Sequence, residues 1–119
     1  MAVAIEIRFG ETPITVTGLG SAPDEYILDL GLQFASLTLV VKLLGIVAAG
    51  ADPSMTIQME TALDPGEDEW ISLGNFDPVA TSGERTKRDF TGLLRYVRWQ
   101  VDKFTDTNSA IFLLYGVAR

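Results

Sequence analysis

The residues best suited to chemistry in this sequence are the carboxylates of the segment "ETALDPGEDEWISLG", residues 60 to 74. Five carboxylates lie within ten positions of it, at Glu60, Asp64, Glu67, Asp68 and Glu69. Clustered carboxylates can bind a hard cation such as Ca²⁺ or serve as a general acid and base. A calcium loop, however, needs about six to eight converging oxygens, and the spacing here does not match the EF-hand pattern.

The same segment has the composition of a tight turn between two strands. At positions 64 to 66, Asp-Pro-Gly combines a proline that fixes one backbone dihedral with a glycine that accepts a positive one. Consecutive acids at a wet loop tip do not suit paired-carboxylate hydrolysis, which needs one acid in a hydrophobic pocket and a partner about 5 to 9 Å away. The segment is therefore predicted to be a hairpin turn.

Two residue types that carry much of enzyme chemistry are missing, because the chain contains neither histidine nor cysteine. Serine triads with histidine, thiol catalysis, and histidine or thiolate metal sites are thereby excluded within one chain. An enzyme would need buried carboxylates, lysine or tyrosine with shifted pKa values, and no such constellation is visible. We predict a protein that is not an enzyme, with no catalytic residues, no metal and no cofactor.

A second candidate is a row of side chains in "GLLRYVRWQVDKF", residues 92 to 104. If Val97, Trp99 and Val101 face the core of a strand, the opposite face presents Tyr96, Arg98 and Gln100. This row could stack on and hold a sugar, or contact a partner protein. The structural alternative is that Trp99 anchors the core while Arg98 pairs with a carboxylate of a neighbouring strand, such as Glu60.

The third candidate is the basic cluster "GERTKRD", residues 83 to 89, in which Arg85, Lys87 and Arg88 could dock an acidic surface. Residues 1 to 84 carry 13 acidic and 2 basic residues, whereas residues 85 to 119 carry 3 acidic and 7 basic ones. A net charge of −7 argues against nucleic acid as a partner. The uneven distribution suits head-to-tail pairing of copies, although a solvated strand explains the cluster as well.

Period-two alternation of apolar residues predicts strands throughout the chain. In "LTLVVKLLG" the residues Leu37, Leu39, Val41 and Leu43 face one side, and "MTIQMETAL" is predicted to bury Met55, Ile57, Met59 and Leu63 and to leave its other face wet. Other predicted strands are Val3–Phe9, Ile14–Leu19, Tyr26–Leu32, Trp70–Phe76, Arg88–Phe90, Arg95–Phe104 and Ala110–Val117.

About nine short strands separated by Gly and Pro turns predict an all-β fold with almost no helix. The fold class is an antiparallel β-sandwich of jelly-roll or Greek-key type, with residues 1–119 forming one domain. Residues 1–20 are a candidate arm that could add a strand to a neighbour's sheet. No membrane partner is expected, because the apolar window at 37 to 51 contains Lys42 and is shorter than the roughly 18 to 20 residues that span a bilayer. The first residues also lack the features of a secretion signal.

The order of four segments resembles that of small phage and prophage β-sandwich proteins encoded among head and virion genes. The segments are "LTLVVKLLG", "DPSMTIQMETALDPGEDEWISLGNF", "TSGERTKRDFTGLLRYVRWQV" and "SAIFLLYGVA", and the resemblance covers residues 27 to 118. Within it, the stretches Trp70–Phe76 and Arg95–Arg98 are also similar to discoidin-like carbohydrate-binding sandwiches. The phage resemblance implies a virion component without enzymatic activity.

From this resemblance the expected function is that of a capsid decoration or minor capsid protein, located in the virion. The expected partners are further copies of the chain, assembled as a trimer, and a major capsid or other virion protein. Apolar residues make up 47% of the chain, which is high for a small domain and favours contact surfaces for other subunits. The alternatives are a carbohydrate-binding module and a tail or fibre component.

Overall fold

The alternating apolar residues build a sandwich of two antiparallel sheets, as seen in a computed structural model that describes residues 4–10, 12–23, 26–66 and 70–119. These residues form ten strands. The described part of the chain contains no α-helix, and no helix in it is long and apolar enough to span a membrane. The strands are β1 (Ile5–Arg8), β2 (Ile14–Val16), β3 (Gly20–Ser21), β4 (Leu28–Asp29), β5 (Ser36–Ala48), β6 (Ser54–Ala62), β7 (Ile71–Asn75), β8 (Arg85–Thr91), β9 (Tyr96–Thr105) and β10 (Thr107–Ala118).

Each sheet contains five strands, and all pairings are antiparallel. In sheet 1 the edge strands β1 and β2 both pair with β10, which is followed by β5 and β8. In sheet 2 the short strands β3 and β4 both pair with β9, which is followed by β6 and β7. The predicted antiparallel β-sandwich is confirmed.

The core lies between the sheets and consists of the residues that alternation placed inward. From sheet 1 it takes Leu37, Leu39, Val41, Leu43, Phe112 and Leu114; from sheet 2 it takes Met55, Ile57, Met59, Val97, Trp99 and Val101. Trp99 meets Phe112 edge-to-face with the ring centroids 5.5 Å apart, so the two central strands β9 and β10 are locked across the core. The outer faces of the two sheets consequently lie on opposite sides of the molecule.

The N-terminal segment lies along its own sheet. Ile5 pairs with Ala118 and Ile14 pairs with Phe112, so β1 and β2 continue one behind the other along β10. Phe9, between them, is buried in the core. The addition of this segment to a neighbouring copy stays a prediction.

The wet outer face predicted for β6 is wrong in part. Thr56 and Glu60 point away from the core and yet are buried. Glu60 is covered by Arg98 of β9, which in turn packs against the Trp70 ring before β7. Leu63, predicted to point inward, lies one residue beyond the end of β6 and is 62% exposed. Alternation assigns faces only while a strand continues, and here the turn begins at residue 63.

Gly116 of β10 lies where two strands approach closely. It pairs with Leu39 of β5 and with Ile7 of β1. A Cβ atom built on Gly116 would overlap the carbonyl oxygen of Thr38 and lie 2.9 Å from the Cα atom of Leu39. Because both are backbone atoms that cannot swing aside, this position accepts only hydrogen as its side chain.

Candidate functional site

The acidic segment at residues 60 to 74 lies in a hairpin. Its two arms, β6 and β7, pair antiparallel, and the Asp64 carboxylate accepts a hydrogen bond of 2.9 Å from the backbone N–H of Gly66. This is the local bond by which aspartate stabilises turns. The acids at 67 to 69 lie outside the described residues. Among the residues that the structure does describe, no group of three carboxylates converges to hold a metal ion.

Arg98 is paired across the strands as the structural alternative predicted. Its Nε donates to Oε1 of Glu60 at 2.9 Å, and the two residues face each other in the β6–β9 pairing. Their side chains are only 19% and 10% exposed. A pair so shielded from water is screened less than a surface pair, and each partner depends on the other for compensation of its charge.

Two further side chains complete this cluster, which we call the Arg98 cluster. The guanidinium carbon of Arg98 lies 4.1 Å from the centroid of the Trp70 ring, a cation–π geometry. With its amide nitrogen facing β6, Gln100 donates to Gln58 Oε1 and to Glu60 Oε2, each at 3.1 Å. The planar groups expected to hold a sugar or a partner are thus largely engaged with one another.

Tyr96, the third residue of the predicted row, lies beside open space. It lines a shallow groove of about 440 Å³ together with Ile27, Pro65 and Gly66. One neighbour of its ring is the guanidinium of Arg95, 5.1 Å from the ring centroid. Of the three predicted residues on β9, Tyr96 is the one that this groove makes available to a ligand.

Arg95 is held next to Tyr96 by an exposed ion pair with Asp29 of β4. Its Nε and Nη2 donate to the two carboxylate oxygens of Asp29 at 3.0 and 2.9 Å. These bonds, and a third from the backbone N–H of Gly31, lower the pKa of Asp29, while the pKa of Arg95 is raised. A carboxylate whose pKa is lowered by folding stabilises the folded state at pH values above its unfolded-state pKa of about 3.9. That contribution is lost as pH falls through the lower native value.

This ion pair gives a prediction for carboxylate titration. In the unmodified chain, ¹³C NMR of the Asp29 carboxyl should report a pKa below about 3.9, and an Arg95→Gln variant should raise it, because the two charge-assisted hydrogen bonds disappear. Glu84 provides an internal reference, since its lowered pKa comes from the backbone N–H groups of Ala80 and Thr81 and should be the same in both proteins. Equal Asp29 pKa values in the two proteins would contradict the assignment.

The basic cluster at 83 to 89 is divided by the alternation of β8. Arg85 and Lys87 point outward from sheet 1, where they pair in register with Lys42 and Val40. Arg88 points the other way, toward sheet 2, and its Nη1 donates to the carbonyl oxygen of Asn75 on β7. Gly74, with φ of +132°, leaves room for this guanidinium.

The six residues predicted to contact a partner therefore occupy three places. Tyr96, Arg98 and Gln100 lie on the outer face of sheet 2, Arg85 and Lys87 lie on the outer face of sheet 1, and Arg88 closes the edge between β7 and β8.

The position of Arg88 leads to a prediction of unequal effects at adjacent basic residues. Arg88→Met should destabilise the protein by about 1–2 kcal/mol, because it removes a charge-assisted bond between the two sheets. Lys87→Met, its matched control, should change stability by less than about 0.5 kcal/mol, as is usual for surface substitutions. Urea unfolding at low protein concentration measures both, and equal effects would contradict the bridging role of Arg88.

The largest feature that sequence reasoning missed is the apolar character of the outer face of sheet 1. On the two central strands, β5 and β10, this face presents six apolar side chains: Val40, Leu44, Ile111, Leu113, Tyr115 and Val117. Ile111 and Leu44 are 39% and 38% exposed. The signal was available, because residues 110 to 118 are "AIFLLYGVA", an almost unbroken apolar run, and strands that read this way are usually covered on both faces.

This face is concave around Gly116. A groove of about 420 Å³ runs over β1, β10 and β5 there, with Val40, Tyr115 and Val117 among its lining residues and Glu6 and Arg8 at its β1 side. We call the outer surface of β1, β10, β5 and β8 the sheet 1 face. It combines an apolar centre with a depression that a side chain of another molecule can fill.

Comparison with known proteins supports the fold. A scan against protein-family models finds no match, and no curated protein matches the sequence. Among solved structures, the SPBc2 prophage-derived protein YomS is similar, with a TM-score of 0.53 and 17% sequence identity over 98% of this chain and 92% of that chain. At this level of identity the likeness extends to the fold, so the chain has the fold of a protein encoded by a prophage.

Proposed function

We propose that the protein is a structural, non-enzymatic component of a phage virion or phage-like particle, most specifically a capsid decoration or minor capsid protein. The observation that carries the proposal is the sheet 1 face, whose apolar centre has no cover within the described chain. A strand with apolar side chains on both faces is stable in water when a second surface packs against it.

Two further observations support a particle component. The fold is similar to that of the SPBc2 prophage-derived protein YomS. The strand order, with β1 and β2 beside β10, then β5 and β8, and with β3 and β4 beside β9, then β6 and β7, supports assigning the sandwich to the jelly-roll type. Viral capsid proteins and lectins both use this architecture.

The site chemistry supports contact instead of catalysis. Histidine and cysteine are absent from the sequence, and the partly buried charges of Glu60 and Arg98 compensate each other. Under the proposal, the protein acts through contacts between its own copies, with a trimer as the assembly, and through contacts with a major capsid or other virion protein. Its location is then the virion.

Sedimentation equilibrium and particle analysis test the proposal together. At about 10–100 µM the chain should have a mass of several copies, and mass spectrometry should find it in phage particles purified from the cells that encode it. A single-chain mass throughout this range, together with absence from the particles, would refute the proposal. Labelling with antibodies in electron micrographs would separate a head location from the alternative of a tail or fibre.

A carbohydrate-binding module is the second candidate, because the groove beside Tyr96 is open to a ligand. Aromatic rings stack on sugar faces, and Arg95 next to the ring supplies hydrogen-bond donors. If the protein binds glycans, a glycan array should show binding that a Tyr96→Ala variant loses. An array without binding by the unmodified chain would exclude this candidate.

A further inference from the structure

The basic residues of the chain are concentrated on one surface. Of nine lysines and arginines, five lie on or at the border of the sheet 1 face, namely Arg8, Lys42, Arg85, Lys87 and Arg119. Among the residues that the structure describes, the acids that accompany them there are Glu6 and Asp89. The ion pairs found among the described residues, Arg95–Asp29 and Arg98–Glu60, both lie on sheet 2. The sheet 1 face therefore offers an apolar centre with a basic border.

The remainder of the chain is strongly acidic, with fourteen acidic and four basic residues. Its most acidic stretch is the hairpin after β6, where the sequence contains Asp64, Glu67, Asp68 and Glu69 within six positions. In the described part of that hairpin, Leu63 and Ile71 are 62% and 57% exposed. We call residues 63–66 and Ile71 the acidic hairpin end. It combines exposed apolar side chains with acids, which is the complement of the sheet 1 face.

A closed ring imposes a condition that these two surfaces meet. In a trimer with cyclic symmetry every contact joins two different patches, one on each neighbour, and the same contact repeats around the ring. Each copy must therefore carry two complementary surfaces. Opposite charges at such surfaces steer the copies together and fix which patch meets which.

We propose that copies of this chain assemble head to tail, with the acidic hairpin end of one copy docked on the sheet 1 face of the next. Leu63 enters the groove over Gly116, and Asp64 meets the basic border at Arg85 and Lys87. The inference rests on the self-assembly that the proposed function includes, and it identifies the two surfaces involved.

Two variants that each destroy one surface test the proposal. Arg85→Glu/Lys87→Glu reverses the border of the sheet 1 face, and Leu63→Ser/Asp64→Asn removes the exposed leucine and the neighbouring carboxylate of the hairpin end without introducing a positive charge. Each variant alone should lose self-association by roughly 100-fold or more, because the first sets like charges against each other and the second lacks the side chain that fills the groove. An equimolar mixture should form a complex of two chains and nothing larger, since only one intact contact can form between the two variants.

Sedimentation velocity at low ionic strength gives the readout, and the association of the unmodified chain should weaken as salt is added. Lys103→Glu, an exposed substitution on β9 of sheet 2, and Leu32→Ser, at an exposed leucine in the β4–β5 connection, are the controls and should assemble normally. Melting temperatures confirm that every variant is folded.

Four results would overturn the proposal. If the hairpin variant still assembles while the sheet 1 variant does not, the sheet 1 face packs against something other than the hairpin. If the mixed variants do not associate, the two surfaces are not partners. If both variants assemble and join particles like the unmodified chain, the docking inference fails and the proposed function stands. If the unmodified chain stays monomeric and is absent from particles, both the inference and the proposed function are refuted.

Discussion

A Gly116→Ala variant is expected to melt at least about 10 °C below the unmodified chain. The added methyl group would overlap the carbonyl oxygen of Thr38, so β5 and β10 would have to separate where they hold the centre of sheet 1. Forcing atoms into a packed position costs about 1–3 kcal/mol, and the upper end applies where the obstacle is backbone. For a domain of this size, each kcal/mol corresponds to roughly 4 °C.

Gly45 of β5 is the matched control for this variant. It lies in the same sheet, paired with Ile111, and a Cβ atom built on it has no neighbour within 4 Å. Gly45→Ala should therefore leave the melting temperature unchanged or raise it slightly, because alanine reduces the conformational freedom of the unfolded chain. Similar melting temperatures for the two variants in differential scanning calorimetry would show that β10 does not approach β5 as described.

The second large effect is expected at Arg98, where a site role and a structural role make different predictions. Arg98→Met should destabilise the protein by about 2–3 kcal/mol in urea unfolding, because Glu60 would be left shielded from water without a compensating charge. The cation–π contact with Trp70 would be lost as well. If Arg98 served only to contact a ligand, its removal would leave stability unchanged.

A double variant separates the charge from the packing. Arg98→Met combined with Glu60→Leu removes both charges and keeps apolar side chains of similar length on neighbouring strands, so most of the lost stability should return. Additive losses in the double variant would indicate that the two residues act independently, contrary to the 2.9 Å contact between them.

The inward and outward faces of the long strands were predictable from the sequence, whereas the extents of the short edge strands were not. Leu37 to Leu43 and Val97 to Val101 alternate without interruption, so burial alone decides their orientation. The strand predicted to reach Leu19 stops at Val16, and Leu19 is exposed in the turn that follows. The strand predicted from Tyr26 to Leu32 pairs only at Leu28 and Asp29. Both lie at a sheet edge, where pairing depends on the partner strand more than on local composition.

The Arg98–Glu60 pair could be predicted in part, because alternation places both residues on outward-facing positions and they face each other once β6 and β9 are adjacent. The different roles of Lys87 and Arg88 could not, since they depend on β7 and β8 forming neighbouring edges of different sheets. The sheet 1 face was within reach of the sequence, in the unbroken apolar run of β10. Its basic border was not, because Lys42, Arg85 and Arg119 are brought together only by strand pairing.

The central place of β10 in sheet 1 has a consequence for biosynthesis. β1 and β2 hydrogen-bond to β10, the last of the ten strands to leave the ribosome. During translation the apolar residues of β1 and β2 therefore have no partner strand until β10 has been made. Such nascent chains fold slowly and expose surfaces that aggregate. We therefore expect the yield of folded protein to depend more on chaperones that protect the growing polypeptide than on the stability of the folded sandwich.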